Sequence, residues 1–136
     1  MVSELSRKVD QLDAEIKKYQ IDLIALEDDY SAQRRKLDEE WFRLEDANRD
    51  LNRYYEEKYE EVLAYFRQEE RDTSEALMAL NQIIDEYTDA TEINYRQERQ
   101  HLDDKEESLR QEYQQKREIV EREINSRMTQ KRRILE

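Results

Sequence analysis

The sequence predicts an all-α protein, a long antiparallel helical hairpin of the coiled-coil type. Three observations lead to this prediction. The 136 residues include no Gly and no Pro, so few positions favour a tight reversal of the chain. Charged residues make up 44% of the chain and hydrophobic residues 36%, which suits an apolar seam between solvated flanks better than a thick core. Apolar residues also recur with the spacing of a heptad repeat.

The first helix is predicted over residues 3–71, with Ser3 as its N-cap. Its apolar seam advances in alternating steps of four and three residues, as the a and d positions of a heptad repeat do. The seam comprises Leu5, Val9, Leu12, Ile16, Tyr19, Leu23, Leu26 and Tyr30. After a local stutter near Gln33 it continues through Leu37, Trp41, Leu44, Asn48, Leu51, Tyr55, Lys58, Val62 and Tyr65.

The turn of the hairpin is predicted near residues 71–75. Asp72 can cap a second helix over residues 73–135, and Glu75 stands at the third helical position, where it would close a capping box. This point lies near the middle of the chain, so that two arms of similar length can pair. An alternative turn at residues 88–92 would leave two very unequal arms and is less favourable.

The second helix has an uneven seam. Apolar residues are dense at its start, with Leu77, Leu80, Ile84 and Tyr87 in the seam. They are sparse between Ile93 and Tyr113 and dense again from Ile119 onward. The sparse part leaves the first helix incompletely covered in a hairpin that forms a single domain over residues 1–136. We therefore expect the hairpin to bind a partner protein with amphipathic helices, or a second copy of itself.

Aromatic residues cluster in the half of the first helix nearest the predicted turn. The cluster comprises Trp41, Phe42, Tyr54, Tyr55, Tyr59, Tyr65 and Phe66. It contains three adjacent pairs, whose members point about 100° apart around a helix, so one member can face the seam while the other lies on a flank. Aromatic residues on a flank are typical of binding hot spots, whereas packing of both members inside a broad core is the alternative. We predict that these seven residues bind the partner.

The composition argues against several kinds of catalytic site. Without Gly the chain cannot form a P-loop, a dinucleotide-binding turn or a nucleophile elbow. Without Cys it has no thiol nucleophile and no zinc–thiolate site. Glu98 and His101 have the Glu-x-x-His spacing of di-iron bundles, but such a site uses two of these motifs and the chain has one His. We expect no catalytic residue, no metal site and no cofactor.

The net charge of −12 makes nucleic acid a poor partner, because phosphate binding needs clustered Lys and Arg. The basic residues among the last ten, including Arg127 and Lys131, suit the negative end of a helix dipole. Apolar runs are too short to span a membrane, and the first residues lack the basic and apolar segments of a signal peptide. We expect no membrane insertion and a cytoplasmic location, with export alongside a partner left open.

One stretch of the second helix resembles a known family. Residues 98–112 resemble the Leu-x-Asp-x-Glu-(Asp/Glu)-x-Leu run of the small helical partner proteins of LXG-type toxins, which are encoded beside effectors of Gram-positive type VII secretion systems. The matching positions are Leu102, Asp104, Glu106, Glu107 and Leu109. A short Gly-poor hairpin with an early Trp-Phe pair is similar to these proteins as well, although the Trp-x-Gly turn of standard WXG-type proteins is missing.

The resemblance implies a targeting chaperone. Such proteins bind the helical LXG domain of the toxin, together with a second small helical partner, and accompany it to the secretion machine. Some related export signals read Phe/Tyr-x-x-x-Asp/Glu, and two segments of this chain fit that pattern. The residues of this candidate export motif are Phe42 with Asp46 and Tyr65 with Glu69.

Two other interpretations stay open. A hairpin stalk of a secretion ATPase, similar in shape to the type III and flagellar stalk proteins, would be a monomer whose two ends enter an ATPase ring. A self-assembling structural coiled coil is allowed by the regular heptads from Leu5 to Tyr30 and would form a homo-oligomer. All three interpretations describe a protein that acts by binding other proteins and not as an enzyme.

Overall fold

The computed structural model describes residues 3–136 and confirms the predicted fold class. Two helices, α1 (Glu4–Gln68) and α2 (Ser74–Leu135), contain nearly all of these residues. They pack against each other as a helical hairpin, and no strand occurs between residues 3 and 136. The helices are separated by residues 69–73, which overlap the predicted turn.

The chain groups into two compact units. The terminal unit comprises residues 3–36 and 105–136, and the turn unit comprises residues 37–104. The sequences of the two units differ strongly in charge. The turn unit contains 21 acidic and 8 basic residues, a net charge of −13, whereas the rest of the chain contains 15 acidic and 16 basic residues. The excess negative charge of the protein therefore belongs entirely to the turn unit.

Helix α1 begins at a side-chain cap. The hydroxyl of Ser3 accepts a hydrogen bond from the backbone N–H of Ser6 at 3.1 Å. The carbonyl of Ser3 accepts the N–H of Arg7, also at 3.1 Å. Ser3 is thus the N-cap that the sequence predicted, and it satisfies one of the N–H groups that the first turn of a helix leaves without a partner.

Helix α2 begins one residue later than the predicted capping box would place it. The carboxylate of Asp72 accepts the backbone N–H and the hydroxyl of Ser74, at 3.0 and 2.6 Å. These hydrogen bonds lower the pKa of Asp72. The carbonyl of Thr73 accepts the N–H of Leu77 at 2.8 Å, so Thr73 occupies the N-cap position and Asp72 precedes it. No residue between 3 and 136 has a positive φ, which fits a turn built without Gly.

The terminal unit is held by a small apolar core. Leu12, Ile16 and Ile124 are buried there, and Leu12 is only 2% exposed. Farther along the seam, the rings of Tyr30 and Tyr113 stack with centroids 4.3 Å apart and planes inclined by 10°. These residues belong to both helices, so the contacts join α1 to α2.

The half-buried side chain of Arg127 also joins the helices of the terminal unit. Nε of Arg127 donates to the carboxylate of Glu15 at 2.7 Å, and its Nη1 donates to Glu123 at 2.5 Å. The same guanidinium lies 4.7 Å from the centroid of the Tyr19 ring. The sequence interpretation had assigned Arg127 to the helix dipole, but the structure places its side chain between the two helices.

Replacing Arg127 by Gln is expected to lower the melting temperature, because Glu15 loses its donor from the other helix and Tyr19 loses the cation over its ring. Arg122→Gln is the matched control, since the Arg122 guanidinium is exposed and lies 3.9 Å from Glu118 on the same helix. Thermal unfolding followed by circular dichroism compares the two variants. Equal melting temperatures for both would show that the Arg127 contacts do not stabilise the hairpin.

Candidate partner-binding surface

The structure divides the seven predicted aromatic residues into two groups. Half-buried between the helices are Trp41, Tyr55, Tyr59 and Phe66. Exposed on α1 are Phe42, Tyr54 and Tyr65. Every adjacent pair therefore has one member in the seam and one outside it, as the 100° step between neighbouring helical residues requires.

The four half-buried aromatic residues, which we call the seam aromatics, contact other residues of the turn unit. The buried residues of this unit are Leu37 and Leu102. The hydroxyl of Tyr55 lies 3.1 Å from the hydroxyl of Thr91. The guanidinium of Arg99 lies 5.9 Å from the Trp41 ring. These contacts link α1 to α2, so the seam aromatics have a role in the fold.

A polar cluster in the turn unit was not foreseen from the sequence. The hydroxyl of Tyr95 donates to the carboxylate of Glu45 at 2.5 Å, and the Arg99 guanidinium lies 5.8 Å from the Tyr95 ring. The hydrogen bond to Glu45, with partial burial, raises the pKa of Tyr95. Tyr95 lies in the part of α2 where apolar residues are sparse. There a hydrogen bond joins the two helices.

This hydrogen bond predicts a loss of stability at high pH. Because the pKa of Tyr95 is higher in the folded protein than its ordinary value of 10.0, the stabilising contribution is complete below that value and is lost as the pH rises through the folded-state pKa. Tyr95→Phe should remove this part of the alkaline destabilisation. Urea unfolding of the wild type and the variant, from neutral pH to above about pH 10, measures the difference. Identical pH profiles would contradict the role assigned to Tyr95.

A group of apolar side chains is exposed beside the seam of the turn unit. It comprises Leu51, Tyr54 and Tyr65 of α1 together with Ile83 and Tyr87 of α2. We call these five residues the aromatic flank. Their side chains are between 38% and 58% exposed. Groups of exposed apolar side chains are typical of sites that bind other proteins.

Helical geometry places the aromatic flank on one side of the turn unit. Tyr54, Tyr65 and Ile83 each directly precede a half-buried seam residue. In an antiparallel pair of right-handed helices, positions turned in the same sense from the seam lie on the same side of the pair. The ring contacts agree, because the Tyr55 ring lies 6.1 Å from both the Tyr54 ring and the Tyr87 ring.

Acidic residues border the aromatic flank. Side chains three or four positions apart are neighbours on a helix. The charged residues at these spacings from members of the flank are Asp50, Glu57, Lys58, Glu61, Glu69 and Glu86. Lys58 is the one cation among them; its ammonium forms an ion pair with Glu61 at 3.2 Å and lies 5.7 Å from the Tyr54 ring. The flank is thus an apolar surface with a negative border.

Phe42 lies on the other side of the turn unit. It directly follows the seam residue Trp41, as Met78 directly follows the seam residue Leu77. Phe42 is 70% exposed and Met78 is 72% exposed. The seven residues predicted to bind a partner therefore do not form a single surface, and Phe42 is separated from Tyr54 and Tyr65 by the width of the helix.

The two halves of the candidate export motif have different environments. Phe42 and Asp46 are both exposed and lie on one face of α1. Tyr65 is exposed, but its hydroxyl is hydrogen-bonded to Glu69, and this bond raises the pKa of Tyr65. Glu69 is half-buried just after the end of α1. A receptor that binds both Tyr65 and Glu69 would have to break this hydrogen bond and provide other partners for the two side chains.

The residues that resemble the LXG-partner family have contacts within the hairpin. Leu102 is buried in the turn unit, where Asp104 accepts a hydrogen bond from Gln100. In the terminal unit Glu106 pairs with Arg34 across the helices at 3.3 Å. Leu109 is half-buried in the same unit. The carboxylate of Glu107 accepts a hydrogen bond from Arg110, and this bond lowers the pKa of Glu107.

The terminal unit has a groove of its own. Its volume is about 450 Å³, and its lining combines an apolar floor with charged edges. The floor consists of Ala25, Leu26, Ile119 and Val120, and the edges are Asp22, Asp29 and Lys116. The Lys116 ammonium is paired with Glu112 at 2.9 Å, which raises the pKa of Lys116.

The Glu98 and His101 pair lies on exposed surface of α2. Within residues 3–136 there is no group of three or more His, Cys, Asp or Glu side chains arranged to hold a metal ion. In the same part of the chain, neither helix combines the length and the apolar character needed to cross a membrane. Comparisons with protein-family models, curated proteins and solved structures find no match to this chain.

Sequence reasoning missed part of the aromatic flank. The heptad steps placed Leu51 and Tyr65 in the seam of the first helix and Tyr87 in the seam of the second, but all three are exposed, and Phe66 lies in the seam in place of Tyr65. The place of Ile83 and Tyr87 on the flank depends on which α1 residue each one faces. The available signal was the position of Ile83 directly before the seam residue Ile84, the same arrangement as Tyr54 before Tyr55.

Proposed function

We propose that this protein is a non-catalytic helical adaptor, a targeting chaperone that binds the helical domain of a secreted LXG-type toxin for type VII secretion. The observation that carries the binding role is the aromatic flank, five large apolar side chains exposed on one side of the turn unit of a highly charged protein. A helix that packs against α1 and α2 along this flank would bury them, as amphipathic helices do in the grooves of their partners.

The resemblance in residues 98–112 supports the choice of an LXG-type toxin as the partner. The chemistry of the turn unit supports a binding role over a catalytic one, since the described residues include no buried polar or charged side chain. Catalytic acids and bases generally depend on such burial to shift their pKa values. The candidate export motif at Phe42 and Asp46 remains accessible on α1 for a secretion receptor.

Co-expression with the helical domain of an LXG-type toxin tests the proposal. We expect the two proteins to elute together in size-exclusion chromatography, and the complex to be lost when Tyr54 and Tyr65 are both replaced by Ala. Separate elution of the wild-type protein and the toxin domain, with both folded by circular dichroism, would refute the targeting role. Adding a second small helical protein encoded beside the toxin tests whether the complex needs three components.

A further inference from the structure

We propose that the aromatic flank binds an amphipathic helix whose apolar stripe is bordered by Lys and Arg, and that it does not bind a second copy of this chain. This inference rests on the proposed function, because it takes the flank to be the binding surface and names the chemistry of its partner. The observations that carry it are the exposure of the flank and the sign of the charges around it.

The shape of the flank suits a third helix. Its members come from both helices, with Leu51, Tyr54 and Tyr65 on α1 and Ile83 and Tyr87 on α2. The surface therefore follows the groove between two antiparallel helices, where the side-chain ridge of another helix can pack. A partner with apolar residues at positions i, i+3, i+4 and i+7 would present such a ridge.

The acidic residues around the flank favour a partner with positive charge. The residues three or four positions from the flank include five acids and one base, and Lys58 is already paired with Glu61. The turn unit as a whole has 21 acidic and 8 basic residues. Opposite charges at the edge of an interface speed association and suppress wrong partners, whereas like charges brought together are repulsive.

The same charges oppose self-association through the flank. A second copy would bring one turn unit with a net charge of −13 against another. Lys58 is the only cation at neighbour spacing to the flank, and Arg71, which lies near Tyr65, is paired with Glu69 at 3.8 Å, so few pairs of opposite charge could form between the copies. A helix with Lys and Arg on both edges of its stripe would instead meet Asp50, Glu61 and Glu86 with complementary charge.

Two designed peptides test this inference directly. Both are helical, about 21 residues or three heptads long, with the same apolar stripe; one has Lys and the other Glu on the edges of the stripe. Their affinities for the full-length protein are measured by fluorescence anisotropy at about 0.1 M and about 1 M salt. A Lys-rich peptide of the same composition without the stripe controls for unspecific attraction.

We expect the Lys-edged peptide to bind at least about tenfold more tightly than the Glu-edged peptide at the lower salt concentration, with the ratio falling at the higher one. Tyr54→Ala combined with Tyr65→Ala should weaken the Lys-edged peptide by about tenfold or more. Met78→Ala is the matched control, because Met78 is also more than half exposed but lies on the other side of the turn unit. The Met78→Ala variant should bind the Lys-edged peptide with the affinity of the wild type.

Several results would overturn the inference. Equal or tighter binding of the Glu-edged peptide removes the charge argument but leaves helix binding at the flank intact. If the Lys-edged peptide binds the variant with both Tyr54→Ala and Tyr65→Ala as tightly as the wild type, the binding is unspecific attraction between charges. A dimer in analytical ultracentrifugation that dissociates on Tyr54→Asp shows that a second copy occupies the flank. If neither peptide binds, the inference fails, while the toxin-domain experiment decides separately whether the proposed function fails with it.

Discussion

Replacing Leu12 by Ala is expected to lower the free energy of unfolding by roughly 2–3 kcal/mol, near the low end for a buried Leu. Leu12 is 2% exposed and is one of three buried apolar residues in the terminal unit. Two helices leave few neighbouring side chains that could move into the space. Because Ala favours the helix slightly more than Leu does, the loss reports packing and not helix propensity. Urea unfolding followed by circular dichroism measures it.

Leu5 provides a control at the same heptad position of the same helix. It lies seven residues before Leu12 on the seam, but it is 62% exposed. Leu5→Ala should therefore change the free energy of unfolding by less than about 0.5 kcal/mol. A loss as large as that of Leu12→Ala would mean that Leu5 is buried in solution. In that case the stability of the wild type should rise with protein concentration, since another chain would have to cover Leu5.

The fold could be predicted because the information that specifies it is local and repeated. Each turn of α1 has its own seam residues, so an error at one position does not change the overall pattern. The turn was found from the capping chemistry of residues 71–75, and the structure has its non-helical residues at 69–73. Helix α1 ends at Gln68, three residues before its predicted end, and α2 begins one residue later than predicted because Thr73 caps it, while Asp72 bonds to Ser74 from one position earlier.

The surface was only partly predictable, because it depends on the register between two helices. Periodicity shows that Tyr54 and Tyr55 point in different directions, and the heptad steps show which of them faces the seam. Periodicity within α1 cannot show that Tyr87 lies beside Tyr55, since that contact joins residues far apart in sequence. The hydrogen bond between Tyr95 and Glu45 was missed for the same reason.

The charge distribution changes how the aromatic residues are interpreted. Exposed aromatic side chains alone would suit self-assembly as well as binding to another protein. The concentration of the whole excess of acidic residues in the turn unit favours a basic partner there. The terminal unit, with nearly equal numbers of acidic and basic residues, has no such repulsion between copies. Charge repulsion therefore opposes self-association less at the terminal unit than at the aromatic flank.

Tyr54→Ala and Tyr65→Ala are each expected to weaken binding of the Lys-edged peptide by about 1–2 kcal/mol, which corresponds to roughly five- to thirtyfold in Kd. Both side chains are more than half exposed in the free protein, so the loss of their contacts with Lys58 and Glu69 should change the free energy of unfolding by less than about 1 kcal/mol each. Fluorescence anisotropy and urea unfolding measure the two quantities on the same preparations.

Tyr55→Ala should show the opposite pattern, because Tyr55 lies in the seam next to Tyr54. It contacts Thr91 through its hydroxyl and Tyr87 through its ring, so its loss is expected to lower the free energy of unfolding by about 1–2 kcal/mol. Phe42→Ala should change neither binding nor stability by much, since Phe42 is exposed on the other side of the turn unit. If Phe42→Ala weakens the peptide as strongly as Tyr54→Ala does, the partner contacts both sides of α1, and the binding surface is the wider set of aromatic residues that the sequence predicted.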